Sequence, residues 1–146
     1  MKLISSYQKE KDSYTNEEIQ KKVVNKLSQI KFGKNGYFWI NDLDANMIMH
    51  PKQELIGRNF KGNSSLSFMD LGIDALKSAS NNEAFIDYSF TNPTTGKIEH
   101  KMSKVHLIEG WNWMIGTGIY TDEIEENIKE MKIREEEEIN FIMMEI

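Results

Sequence analysis

The feature that most constrains this chain is a change of period at Gly33 and Gly36. Before these glycines, apolar residues recur at Ile4, Tyr7, Tyr14, Val23, Leu27 and Ile30, close to the helical spacing. After them the apolar residues fall into short runs separated by turn residues, as strands do. One chain of 146 residues that passes from a helical to a strand period here reads as a single α+β domain, long enough to bury a core.

The helical reading covers residues 1 to 32. Thr15 and Glu18 stand at capping-box spacing and mark a point where the helix can restart. Tyr37-Phe38-Trp39-Ile40 is apolar on both faces and predicts a central strand in a covered sheet. A turn over residues 41 to 46 leads to a second strand, Met47-Ile48-Met49-His50, which Pro51 stops. Residues 52 to 66 are rich in Gly, Asn and Ser and read as a loop, followed by a short helix with Phe68, Leu71, Ala75, Leu76 and Ala79 on one face. Three more strands follow, about 83 to 91, 97 to 108 and 111 to 119, joined at Asn92-Pro93-Thr94-Thr95-Gly96 and at Glu109-Gly110. From Thr121 the chain turns helical, with Ile124, Ile128, Met131, Ile139, Ile142 and Ile146 forming a stripe.

Residues 122 to 146 hold ten acids and three bases, a net −7, so the total of −5 leaves residues 1 to 121 at +2. An almost neutral body with an acidic end lacks the basic footprint of a nucleic-acid binder. Cysteine is absent, which excludes disulfides and thiolate chemistry. No Gly-x-Ser-x-Gly, Gly-x-x-x-x-Gly-Lys or His-Glu-x-x-His pattern occurs, so the chain shows no catalytic signature.

Three segments carry a resemblance: Asn35-Gly36-Tyr37-Phe38-Trp39-Ile40-Asn41-Asp42; Met47-Ile48-Met49-His50-Pro51, with Gly57 after it; and Trp111-Asn112-Trp113-Met114-Ile115-Gly116-Thr117-Gly118-Ile119-Tyr120. In this order they resemble the single Cache domain family over about residues 1 to 125. The resemblance implies a PAS-like five-stranded antiparallel sheet over residues 36 to 120, with a long N-terminal helix and a C-terminal signalling helix over 121 to 146. It also implies an extracytoplasmic sensor domain of a bacterial membrane receptor, such as a chemoreceptor, histidine kinase or cyclic-dinucleotide enzyme. The implied ligand is a small polar metabolite: a short carboxylate, or an amide or amino acid. One departure is visible, since the family pattern Lys-x-Ser-Tyr-Val reads here Lys101-Met102-Ser103-Lys104-Val105.

A pocket for a small anion needs a fixed cation or N–H donor in a mostly apolar wall, because the anion's desolvation must be offset. Lys101, which alternates with Ser103 and Val105, is the leading candidate, although most strand lysines face water. His50 precedes Pro51, where a neutral imidazole can donate to a ligand oxygen; the competing reading is a turn histidine. Tyr37 and Trp39 share a strand face, and Tyr88 sits at the family's tyrosine position on the third strand; core packing is the ordinary role for Trp39. Trp111 and Trp113 read as core, and the methionines at 47, 49, 102 and 114 as gap fillers. His100 and His106 have the opposite parity to Lys101, and Asp42 and Asp44 lack the other ligands of a calcium loop, so neither metal nor cofactor is expected.

Two expectations concern the wider protein. The end Phe141-Ile142-Met143-Met144-Glu145-Ile146 grows apolar, as a helix nearing a bilayer does, which predicts membrane spans before Met1 and after Ile146. The thin stripe of the N-terminal helix predicts a homodimer. The alternatives to a ligand sensor are a ligand-free dimerisation or protein-interaction module and, with less support, a small-molecule hydrolase or isomerase.

Overall fold

The structure, a computed structural model, describes residues 14 to 120. Helix α1 (Asn16–Ser28) begins where the capping pattern places it. Thr15 has extended backbone and its hydroxyl accepts the Glu18 N–H at 3.2 Å, while donating to the Glu18 carboxylate. One orphan N–H is thereby satisfied, and Glu17 and Glu18 complement the positive end of the helix dipole. Thr15→Ala is expected to cost about 1 kcal/mol in urea unfolding. An unchanged midpoint would mean that the cap is not needed.

α1 buries Ile19, Val23 and Leu27, a stripe at four-residue steps, against Ile40, Met49, Ile108, Trp113 and Ile115 on the outer face of the sheet. Each such burial contributes about 1.5–3 kcal/mol. The helix ends at Ser28, four residues before the expected boundary. Lys31–Phe32 instead forms a short strand, β1, because Gly33 adopts φ +56° and turns the chain back onto Gly36–Asp42, strand β2. The sheet therefore has six strands rather than five.

β3 (Met47–Met49) returns antiparallel on β2 with an irregularity between Ile40 and Asn41. Two 3₁₀ turns, Gln53–Leu55 and Ser64–Leu66, interrupt the loop after β3. α2 (Phe68–Lys77) then crosses the inner face, burying Phe68, Met69, Gly72 and Leu76. Leu71, expected to face inward, is exposed, and Ala79 lies beyond the helix end. Phe68 and Leu76 are buried and Ala75 partly so, as expected, while Gly72, which has no side chain to signal burial, takes the inward place expected of Leu71.

Strands β4 (Glu83–Thr91), β5 (Ile98–Ile108) and β6 (Trp113–Tyr120) complete the order β1-β2-β6-β5-β4, with β3 on β2 and every pairing antiparallel. β2 is covered on both faces, as its two-sided apolar run predicts. The expected helices before Tyr14 and after Tyr120, including the Thr121 cap, lie outside the described residues.

Candidate functional site

Strand alternation selects which side chains of β5 enter the inner core. Lys101, Ser103 and Val105 point inward and are at most 1% exposed. Lys104 points outward, 3.3 Å from Glu83, with His106 3.4 Å from the same carboxylate and His100 paired with Asp87. Parity thus separates Lys101 from Lys104, and the family departure at Lys104 falls on the outer face.

A fully buried lysine needs an environment that offsets the lost hydration. The Lys101 Nζ lies 3.9 Å from the Tyr37 ring centre, 5.1 Å from Trp39, 5.2 Å from Tyr120 and 5.9 Å from Phe90. Aromatic faces attract a cation, more so when water is excluded. Each wall is fixed by packing or hydrogen bonds. Tyr37 and Tyr120 bring their hydroxyls to 3.4 Å of one another. The Tyr88 and Ser103 hydroxyls lie 2.8 Å apart. The Trp39 indole N–H donates to Asn41 Oδ1 at 2.9 Å, so Trp39 presents a ring face and no free donor. That indole lies flat over β6 only because residue 116 is glycine; a Cβ there would come within 2.2 Å of the ring. Phe68, from the start of α2, stacks on Tyr88 at 5.4 Å and meets Trp39 and Phe90 edge-on at 5.1 Å, closing the cage from the loop side.

His50 follows β3 and is buried, its ring 5.3 Å from Tyr37 and 5.6 Å from Phe90. Its Nδ1 accepts the Lys52 N–H at 2.9 Å, which assigns the imidazole proton to Nε2. Burial, aided by the charges of Lys101, Lys52 and Lys31, lowers its pKa from 6.5 to about 3, so the ring is a neutral N–H donor at any ordinary pH. Burial also raises the Tyr37 and Tyr88 phenols, with the neighbouring Tyr120 raising Tyr37 further. The cage therefore offers one cation among neutral donors.

All five residues singled out in the sequence, Lys101, His50, Tyr37, Trp39 and Tyr88, converge on this cage. Phe68, Phe90 and Tyr120 complete it without having been selected. A signal for Tyr120 existed, since Gly116, Gly118 and Tyr120 alternate on one face of β6, but its pairing with Lys101 is long-range. Trp113 is core, as expected, and Trp111 packs beside it at 5.2 Å. Asp42 closes a turn by accepting the N–H groups of Asp44 and Asn46 and the Asn46 side-chain amide.

A groove of about 480 Å³ lies away from the cage, between α2 and the β2–β3 turn. Its floor includes Ala45, Leu76 and Leu107, and its rim carries Asp44, Asp70 and Asp74 with Lys61 and Lys77. Asp70 accepts the Gly62 N–H and Asp74 pairs with Lys77, so these rim groups are already engaged. The candidate site is the cage, chosen for its converging chemistry over the groove.

The dCache_2 family, a Cache domain, matches residues 8–125. The chain is similar to the sensor histidine kinase MctS of Rhizobium johnstonii, 30% identical over 109 residues, which are 74% of this chain and 24% of that protein. It is also similar to the methyl-accepting chemotaxis protein McpP of Pseudomonas putida, 26% identical over 111 residues, 75% of this chain and 20% of that protein. The chain spans about a quarter or less of the length of these two relatives. Among solved structures, a Cache chemosensory domain described for carboxylic acid recognition aligns with TM-score 0.71 and 28% identity, covering 81% of this chain and 83% of that one. A methyl-accepting chemotaxis protein from Vibrio parahaemolyticus aligns with TM-score 0.70 and 25% identity, covering 85% and 84%. With an α+β sheet fold and family motifs that match from residue 8 to 125, this chain belongs to the Cache domain family.

Proposed function

We propose that this Cache domain is the extracytoplasmic sensor of a membrane receptor and that it binds a small carboxylate at Lys101, with Tyr37, His50, Trp39 and Tyr88 forming the binding walls. The observation that carries the reading is a lysine 1% exposed inside an aromatic cage. A carboxylate there gains a charge-assisted bond from Lys101 and an N–H from His50 Nε2, while Trp39, Phe68 and Phe90 accept a short apolar tail. A relative described for carboxylic acid recognition shares the fold at 28% identity, which supports this ligand class.

The sensor module occupies residues 1 to 125 in this reading, and residues 121 to 146, outside the described part of the structure, lead toward a membrane span. Among the described residues no helix is long and apolar enough to cross a membrane. Tyr120 links site to output, because its ring lines the cage and the chain continues directly into residues 121 to 146. Occupancy then shifts the output only to the extent that two arrangements of the cage differ in ligand affinity. A homodimer through the N-terminal helix rests on residues before Tyr14 or on the exposed side of α1, since the α1 stripe is already covered by its own sheet.

A ligand of five or six heavy atoms gains at most about 1.5 kcal/mol per atom, which limits affinity to about micromolar. At a hundred times its dissociation constant it should add about 2.7 kcal/mol of stability, a shift of several degrees in melting temperature. The test is thermal unfolding against short monocarboxylates, amides and amino acids. A shift confined to carboxylates is expected. A shift only with amides or amino acids would overturn the ligand class, and a flat response to all three would overturn the sensor reading in favour of a ligand-free interaction module.

A further inference from the structure

Two lysines outside the cage stand across its walls. Lys31, on β1 opposite Tyr37, places its Nζ 6.0 Å from the Tyr37 ring centre. Lys52, which donates its backbone N–H to His50, places its Nζ 5.8 Å from the Phe90 ring centre. Both rings also face the Lys101 ammonium. Neither Lys31 nor Lys52 has an ion pair with a carboxylate among the described residues.

Beside Lys31 the surface is hollowed. A cavity of about 160 Å³ is lined by Ser28, Lys31, Phe38, Met49, His50 and Pro51, with Gln53 at its rim. His50 belongs to this cavity on one side and touches Tyr37 and Phe90 of the cage on the other. His50 thus borders both the cavity and two of the rings that face Lys101. The fields of Lys31 and Lys52 reach that imidazole, since both charges act on it together with Lys101.

From this arrangement we infer that the cavity at Lys31 and His50 is the access port of the cage, and that the exposed Lys31 and the half-buried Lys52, which lies in the chain between the lining residues Pro51 and Gln53, steer anionic ligands inward toward Lys101. The inference rests on the carboxylate reading above and adds to it a route and two residues outside the binding walls. Positive charges converging on a narrow mouth concentrate an anion there and raise its association rate, an effect that salt screens. They do not touch the bound ligand, so they act on association and leave dissociation alone. The consequence is a sensor whose response rate depends on ionic strength.

The test uses intrinsic fluorescence of the Trp111→Phe/Trp113→Phe background, in which Trp39 is the one remaining tryptophan, as a reporter of cage occupancy, read by stopped flow with acetate, propionate and pyruvate at low and at high salt. Lys31→Gln/Lys52→Gln is expected to slow association about three- to tenfold at low salt, to leave the dissociation rate unchanged, and to flatten the salt dependence. Lys31→Arg/Lys52→Arg, which keeps both charges, should associate as the native chain does. If at least one of the three acids binds and the Gln variant associates at the native rate, the port is overturned while the carboxylate reading stands. If the Gln variant changes dissociation instead, the lysines belong to the binding walls and steering is wrong. If none of the three binds the native chain, the carboxylate reading and the port fall together.

Discussion

Replacing Lys101 by Met is expected to weaken carboxylate binding about tenfold to a hundredfold, whereas Lys104→Met should leave it unchanged. The asymmetry follows from strand parity: Lys101 points into the aromatic cage and Lys104 out to Glu83. Methionine is the useful substitution because it fills nearly the same volume with a flexible apolar chain, so the rings of Tyr37, Trp39 and Tyr120 keep a partner. What is lost is the charge-assisted bond to the ligand, about 1.5–3 kcal/mol. The measurement is calorimetric titration with the acid that shifts the melting temperature most, checked by unfolding of each ligand-free variant. Equal losses in the two variants would remove Lys101 from the site, because only a general effect of charge would then remain.

The elements that sequence reasoning placed well are those whose signal is local. The Thr15–Glu18 cap needs four residues to be read, and it starts α1. The inward set Lys101, Ser103 and Val105 needs only alternation, and all three are buried. The two-sided apolar run of β2 needs only its own composition, and both its faces are covered. The misread elements depend on partners distant in sequence or on residues that carry no apolar signal. Lys31 and Phe32 continue a helical pattern, but pairing with Tyr37 and Gly36 makes them a strand. Gly72 lies on the buried stripe of α2, and a glycine cannot announce that by its hydropathy.

The candidate site follows the same rule. Its charged and polar members were legible because buried cations, phenols and imidazoles are rare and chemically pointed. Its apolar walls were not, because Phe68, Phe90 and Tyr120 look like any core aromatics until β5–β6 pairing sets Tyr120 beside Lys101 and α2 lays Phe68 on Tyr88. The His50 environment was legible only in part: the Pro51 that follows fixes where the strand stops, but the Lys52 N–H that locks the tautomer is a product of the folded loop.

Acidification from pH 7.5 to pH 5 should cost the native chain about 2 kcal/mol of stability through His50 alone, and His50→Gln should lose that part of the slope. Burial, reinforced by Lys101, Lys52 and Lys31, holds the folded pKa at about 3, below the unfolded value of 6.5. The unfolded chain therefore binds a proton that the folded chain refuses anywhere between those two values. Stability contributed by His50 is complete above pH 6.5 and is lost steadily as pH falls toward 3, by about 1.4 kcal/mol per pH unit inside that window. His106, lowered by burial against the opposing pull of Glu83, contributes in the same direction, but it lies on the outer face and is untouched by the His50 substitution. The comparison between native and His50→Gln proteins, by urea unfolding at a series of pH values, thus isolates the cage histidine. Matching slopes would mean that His50 titrates as an ordinary surface imidazole and that water reaches the cage. A slope reduced by about 2 kcal/mol over that range would show that the neutral donor facing Lys101 is enforced by the fold.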